Sequence, residues 1–234
     1  TVDPQKFIDK YGADTIRLYM MFTSPPQQSL EWSDTAIEGS YRFLKRIWTL
    51  ISNRKLFLDK PPKDFTKLEL KLRQKSHQTL KKVTNDYSER NSFNTAIASI
   101  MELINSIPDS FKIDDATTSE VFCLDEVIRF TLKMLSPITP HISLYLWKQY
   151  TESDGLDFEN SWPKYNEDFL RADDFQLIIQ VNGKVRGKEN ISVDTDQAEI
   201  EKLSKENENV KKVLANQHIK KVIYVKEKLI NFVI

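Results

Sequence analysis

The side chains here that could do chemistry are mostly cations set at helical or strand spacing. Arg42 and Arg46 stand one helical turn apart with Lys45 beside them, so one helix face presents all three to a ridge of phosphates. The same face is also compatible with a solvated surface or an intrahelical ion pair to Glu38. A second group follows Asn182-Gly183, where Lys184, Arg186 and Lys188 alternate with Val185 and Gly187. On an unbroken strand this pattern turns the three cations to one face near a hairpin tip. Lys220, Lys221, Lys226 and Lys228 flank the last apolar runs and either meet a polyanion or guard sheet edges against pairing. Lys71, Lys75, Lys81 and Lys82 form a further basic stripe that plain solvation explains as well.

Other chemistry is not written in these residues. The five glycines are scattered, which leaves no phosphate-cradling loop and no dinucleotide fingerprint. His77, His141 and His218 have no partner at metal-ligand spacing and read as surface or capping residues. Thr117-Thr118-Ser119 ahead of Glu120 reads as a helix cap, not a nucleophile. Cys123, in the apolar run from Val121 to Leu124, reads as a buried, inert thiol in a reducing compartment. Trp32, Trp48 and Trp147 fall on apolar faces or caps and read as core, not as stacking platforms. No catalytic and no metal site is expected.

Composition bounds the elements that must carry these groups. With 234 residues, 40% hydrophobic and 11% aromatic, the chain can bury the core of one large domain or two smaller ones. Basic and acidic residues balance at 34 each, yet residues 40–90 hold 14 Lys and Arg against 5 Asp and Glu, which suits a polyanionic partner. No signal peptide and no bilayer-length apolar run is seen, so a cytoplasmic, monomeric protein without membrane attachment is expected.

Periodicity predicts a mainly α chain, a helical bundle followed by a small α+β domain. Apolar residues at helical spacing run from Asp34 to Leu58 (Ile37, Tyr41, Leu44, Ile47, Trp48, Ile51), with Thr35 and Glu38 as a capping box. A second helix spans about Phe65 to Tyr87 with Leu68, Leu72, Leu80 and Val83 buried, a third Phe93 to Ile107, and a fourth Ser119 to Leu135. A short helix follows Pro140. Strands are expected at Phe175–Val181, Lys184–Lys188, Val222–Val225 and Leu229–Ile234, with helical signals over Thr195–Ala215. The resulting division is 1–33, a connecting segment; 34–151, the helical domain; 152–174, a linker; and 175–234, the α+β domain.

Several segments then resemble class I aminoacyl-tRNA synthetases of the leucine, isoleucine and valine group: Tyr11 to Leu18, Ser24-Pro25, Leu30 to Asp34, and Arg42 to Trp48. Phe93 to Ala98, Ser136 to Ile142, and above all Gln180 to Arg186 with Lys221 to Val225 are similar to the bacterial and organellar leucyl branch. A valyl or isoleucyl enzyme would lack the terminal β-rich domain; a helical protein-interaction scaffold is the reading from another class. The resemblance implies an anticodon-binding-type helical domain that does not read the anticodon. It also implies a flexible terminal domain that docks at the outer corner of the L-shaped tRNA.

The partner implied is tRNA(Leu). Arg42, Lys45 and Arg46, and in the terminal domain Asn182, Lys184, Arg186, Lys188, Lys220 and Lys221, are the candidate contacts. Leucine, ATP and its magnesium would be handled by a catalytic region upstream, since no HIGH or KMSKS motif occurs here; Thr1 to Pro4 would follow shortly after KMSKS. No cofactor is expected for the chain itself. Gly187 and Glu189 depart from the family, where alanine and a less acidic residue are usual. Asp14 and Arg17 read as a helix start and its local partner, in a segment that would transmit tRNA binding to the active site.

Overall fold

The computed structural model describes residues 2–234 apart from 26, 27, 30, 58, 59, 113, 156, 157, 159, 160, 171–173, 193, 194, 216 and 227. Thr1, Leu30, Leu58 and parts of the segment 152–174, singled out above, lie outside the described residues. The chain forms two compact units, Thr1–Leu170 and Arg171–Ile234, the first helical and the second built on a sheet.

The helical unit starts with α1 (Gln5–Tyr11) and α2 (Ala13–Thr23), joined at Gly12, whose φ of 85° favours glycine. Next comes α3 (Asp34–Ile51), which buries Ile37, Ser40, Phe43, Leu44, Ile47 and Ile51 along one face. Ser33, not the expected Thr35 and Glu38 box, caps it: the Ser33 hydroxyl accepts from the Ala36 amide, while Glu38 accepts from the Tyr11 hydroxyl at 3.1 Å. α3 stops seven residues earlier than expected because tertiary hydrogen bonds claim the following backbone. The Leu56 amide donates to the Tyr150 carbonyl at 2.9 Å, and the Phe57 amide to the Asp125 carboxylate at 3.2 Å.

α4 (Lys67–Asn85) starts at a Thr66/Glu69 capping box and runs into a π-helical turn at Asp86–Arg90. Leu72, Leu80 and Val83 are buried as expected, but Leu68 is 51% exposed. The carboxylate of Glu69 turns inward in its place, holding the Thr66 amide and the Ser119 hydroxyl. α5 (Phe93–Asn105), α6 (Thr118–Leu135) and α7 (Pro140–Thr151) complete the bundle. α6 has the expected Thr117 cap and is buried on most sides, Cys123 included; burial pushes that thiol up to about 12.

The expected connector stays on the helical unit as far as Leu170. Phe158 joins the core, the Trp162 indole donates to the Thr84 hydroxyl at 2.9 Å, and the Asn166 amide donates to His77 Nδ1 at 3.1 Å. His77 is therefore buried, neither surface nor cap, and its ring stacks on Phe169 with centroids 4.8 Å apart.

In the second unit β1 (Asp174–Val181), β2 (Lys184–Ser192), α8 (Gln197–Glu206), α9 (Glu208–Leu214), β3 (Lys221–Val225) and β4 (Leu229–Val233) follow in order. The sheet order is β2-β1-β4-β3, with β1 and β4 parallel and the outer pairs antiparallel. Asn182 and Gly183 both have positive φ, 48° and 77°, as a type I′ turn requires. Leu177, Ile179 and Val181 of β1 join Ile200, Val210, Ile230 and Phe232 in this unit's core. The expected single helical stretch is two helices, divided at Asn207, whose ψ of 126° leaves the helical region.

Candidate nucleic-acid interface

α3 carries its core residues on one side and its cations on the other. Arg42, Lys45 and Arg46 are all exposed. Glu38 is taken by Tyr11, and among the described residues Arg42 and Lys45 make no ion pair. Arg46 instead donates to the Asn105 side chain at the end of α5. Two of the three cations are thus unpaired and the third is held. The stripe on α4 differs: Lys75 pairs with Glu102 at 3.1 Å, Lys82 with Asp86 at 2.9 Å, and Lys81 reaches Glu167 at 4.0 Å. That stripe is mostly neutralised, as a solvated face would be.

Beside Lys45 lies an apolar groove of about 750 Å³, walled by the α1–α2 junction, α3 and α7. The Trp48 and Tyr145 rings stack across it with centroids 5.1 Å apart and planes 14° from parallel. Trp48 is 40% exposed and Tyr145 47%, so Trp48 is not the core residue expected, whereas Trp147 is buried. Tyr41 sits at the same groove, 41% exposed. Sequence reasoning missed Tyr145 and this role of Trp48. The signal was present: Tyr41, Leu44 and Trp48 repeat at helical spacing beside the core stripe, an apolar arc wider than one packed face needs.

Asp14 and Arg17 are not local partners. The Asp14 carboxylate accepts from His141 Nδ1 at 2.8 Å and from the Ile142 amide at 2.7 Å, capping α7. Arg17 donates to the carbonyls of Ile138 at 2.8 Å and Pro137 at 3.0 Å. The opening segment and the 137–142 turn are thereby one hydrogen-bonded clasp. His141 keeps its side chain 78% exposed beside it.

The hairpin cations do not form the single face expected of them. Gln180 pairs with Val185 and Ile179 with Gly187, so Arg186 is the extra residue of a β-bulge. Lys184 consequently pairs with inward-facing Val181, and Lys188 with Ile178 on the opposite side of the sheet. Asn182 uses its side-chain oxygen to accept from the Ile234 amide at 3.1 Å, which ties the turn to the end of β4. Lys220 and Lys221 are exposed at edge strand β3, where the guarding role remains open to them.

Gly187 and Glu189, the two residues expected to depart from the family, both meet Asn207. Its carboxamide lies over Gly187, where an added Cβ would come within 2.8 Å of it, and it donates to Glu189 at 2.6 Å. Gly187→Ala is therefore expected to destabilise the second unit by about 1–3 kcal/mol. Adding Asn207→Ala should recover most of the loss, read as urea midpoints of the two single variants and the double. Equal midpoints for Gly187→Ala and the parent would mean that Asn207 yields freely.

Among the described residues no group of His, Cys, Asp or Glu could hold a metal ion, and no helix is long and apolar enough to cross a membrane. Residues 69–222 match the family model for the anticodon-binding domain of tRNA ligase. The chain is 42% identical to the leucine-tRNA ligase of Alcanivorax borkumensis and 44% identical to that of Methylobacillus flagellatus. Each alignment takes in 100% of this chain and 28% of the relative, in its carboxy-terminal part. A LeuRS of Agrobacterium radiobacter, solved in a ternary complex with tRNA and LeuAMS, superimposes with a TM-score of 0.78 at 26% identity, over 99% of this chain and 29% of that one. With a family match across two thirds of its length, the chain belongs to the anticodon-binding-domain family of tRNA ligases and is similar over its whole length to leucine-tRNA ligases.

Proposed function

We propose that this chain is the tRNA-holding portion of a cytoplasmic leucine-tRNA ligase and that it grips the body of tRNA(Leu) through α3. Arg42 and Lys45 carry the reading: two exposed cations on one helix face, without ion-pair partners among the described residues, in a chain similar throughout to leucine-tRNA ligases. ATP with its magnesium, and leucine, belong in this reading to residues upstream of the chain. The Asp14 and Arg17 clasp then joins whatever precedes it to the bundle, a route by which tRNA docking reaches the distant chemistry.

The test is a titration with tRNA(Leu), and with a tRNA lacking the long variable arm, across several salt concentrations. Phosphate contacts release counterions, so Arg42→Ala with Lys45→Ala should flatten the plot of log affinity against log salt by about 2, one for each cation. Arg46→Ala should change the slope less, because Asn105 already holds that side chain. A double variant with the parent's slope would remove α3 from the interface.

A further inference from the structure

We infer that the groove between the α1–α2 junction, α3 and α7 is a pocket for one unpaired nucleotide, whose base stacks on the Trp48–Tyr145 pair while its phosphate meets Lys45. This rests on the tRNA-binding reading above and says which chemical feature of the RNA is held. Both rings leave a large part of their surface to solvent although they stack on each other, so the flat apolar surface is unfinished. A volume near 750 Å³ is of the size that takes a small ligand such as a nucleotide. Stacking of this kind tolerates any base, because every base has a π face. A base inside a double helix is covered above and below, so only an unstacked nucleotide can enter.

Charge decides between RNA and protein as the occupant. Lys45 lines the groove without an ion-pair partner among the described residues. An apolar protein surface closing here would bury Lys45 without a counter-charge, which is strongly unfavourable, whereas a phosphodiester brings that charge with it. The one carboxylate lining the groove, Asp14, already has its oxygens engaged by His141 and by the first turn of α7. Gly12 adds an open floor, where even a Cβ would meet nothing within 4 Å.

The experiment titrates the 234-residue chain with a tRNA(Leu) transcript and with a fully paired RNA duplex, comparing the parent with Trp48→Leu, Tyr145→Leu and Trp48→Phe. Each leucine variant should bind tRNA about tenfold or more weakly, with salt slope and duplex binding unchanged, and Trp48→Phe should retain most of the affinity. Far-ultraviolet circular dichroism accompanies each variant. Ultraviolet cross-linking of the unaltered chain to tRNA gives a second readout that no misfolded variant can spoil: the adduct is expected on Trp48 or Tyr145. Adducts only elsewhere, or a folded Trp48→Leu chain that binds tRNA as tightly as the parent, overturn the proposal and leave the groove to a protein surface. Those two results leave the tRNA reading standing, whereas a parent chain that binds no tRNA ends both.

Discussion

A Glu126→Ala chain should unfold about 3–5 kcal/mol more easily than the parent, because it leaves a largely buried cation without its counter-charge. Glu126 is only 7% exposed. Arg73 holds both of its oxygens, Nε on Oε2 at 3.0 Å and Nη2 on Oε1 at 3.1 Å, and His77 Nε2 adds a third bond at 3.3 Å. With the Asn166 amide donating to Nδ1, a neutral imidazole protonated at Nε2 satisfies both ring nitrogens. The guanidinium sits over the rings of Phe65, Phe122 and Phe169 at 4.5–5.3 Å, and with its side chain 16% exposed little water can replace the carboxylate.

The same site gives a pH signature. Burial alone would raise the Glu126 carboxyl, but hydrogen bonds from His77 and Arg73 outweigh it and hold the group below its ordinary value of 4.5. A carboxyl depressed in the folded state stabilises above the unfolded value and loses that contribution as pH falls through the folded one. Urea midpoints of the parent should therefore decline below about pH 4.5, and those of Glu126→Gln should decline less steeply. Matching acid limbs in the two chains would show that Glu126 is not the group responsible.

Asp125→Ala is the second large effect, expected at about 3–4 kcal/mol, because it removes one acceptor from three donors at once. The carboxylate is 2% exposed and takes the Tyr150 hydroxyl at 2.6 Å, Arg129 Nε at 2.7 Å and the Phe57 amide at 3.2 Å. Burial first, then the charge of Asp125, pushes Tyr150 far above the ordinary tyrosine range, so its hydroxyl remains a donor. The loss has a local fingerprint, since two backbone donors just after α3, the Leu56 and Phe57 amides, reach other elements there. Amide exchange at Leu56 and Phe57 should accelerate more than exchange in α5. Uniform acceleration would mean that Asp125 serves global stability alone.

The bundle was legible because α3 repeats its apolar residues at helical spacing and Thr117 with Glu120 announces the start of α6. The hairpin was legible because Asn182-Gly183 accepts positive φ at both positions. Glu69, Asp125, Glu126 and Lys133 were not: each looks like a solvated helix position until a distant residue turns out to satisfy it inside. Lys133, for instance, donates to the Phe158 carbonyl at 2.7 Å from a helix that spacing alone cannot connect to that segment. Nor could the Arg186 bulge be read, and one extra residue was enough to divide Lys184 from Lys188. On α3 the candidate cations were found by spacing, while the aromatic groove beside them needed α7, which lies some ninety residues further along the chain.

The clasp between the opening helices and the 137–142 turn also bears on the order of assembly. A chain made from its amino end produces Arg17 121 residues before the Ile138 carbonyl that receives it. Bringing together groups so far apart carries a loop-closure cost that local helix contacts do not. α2 can pack early on its neighbour α3, whereas Asp14 and Arg17 have to wait for their partners until the 137–142 turn exists. In the order of synthesis, α1 and α2 thus precede by more than a hundred residues the turn to which Arg17 is fastened.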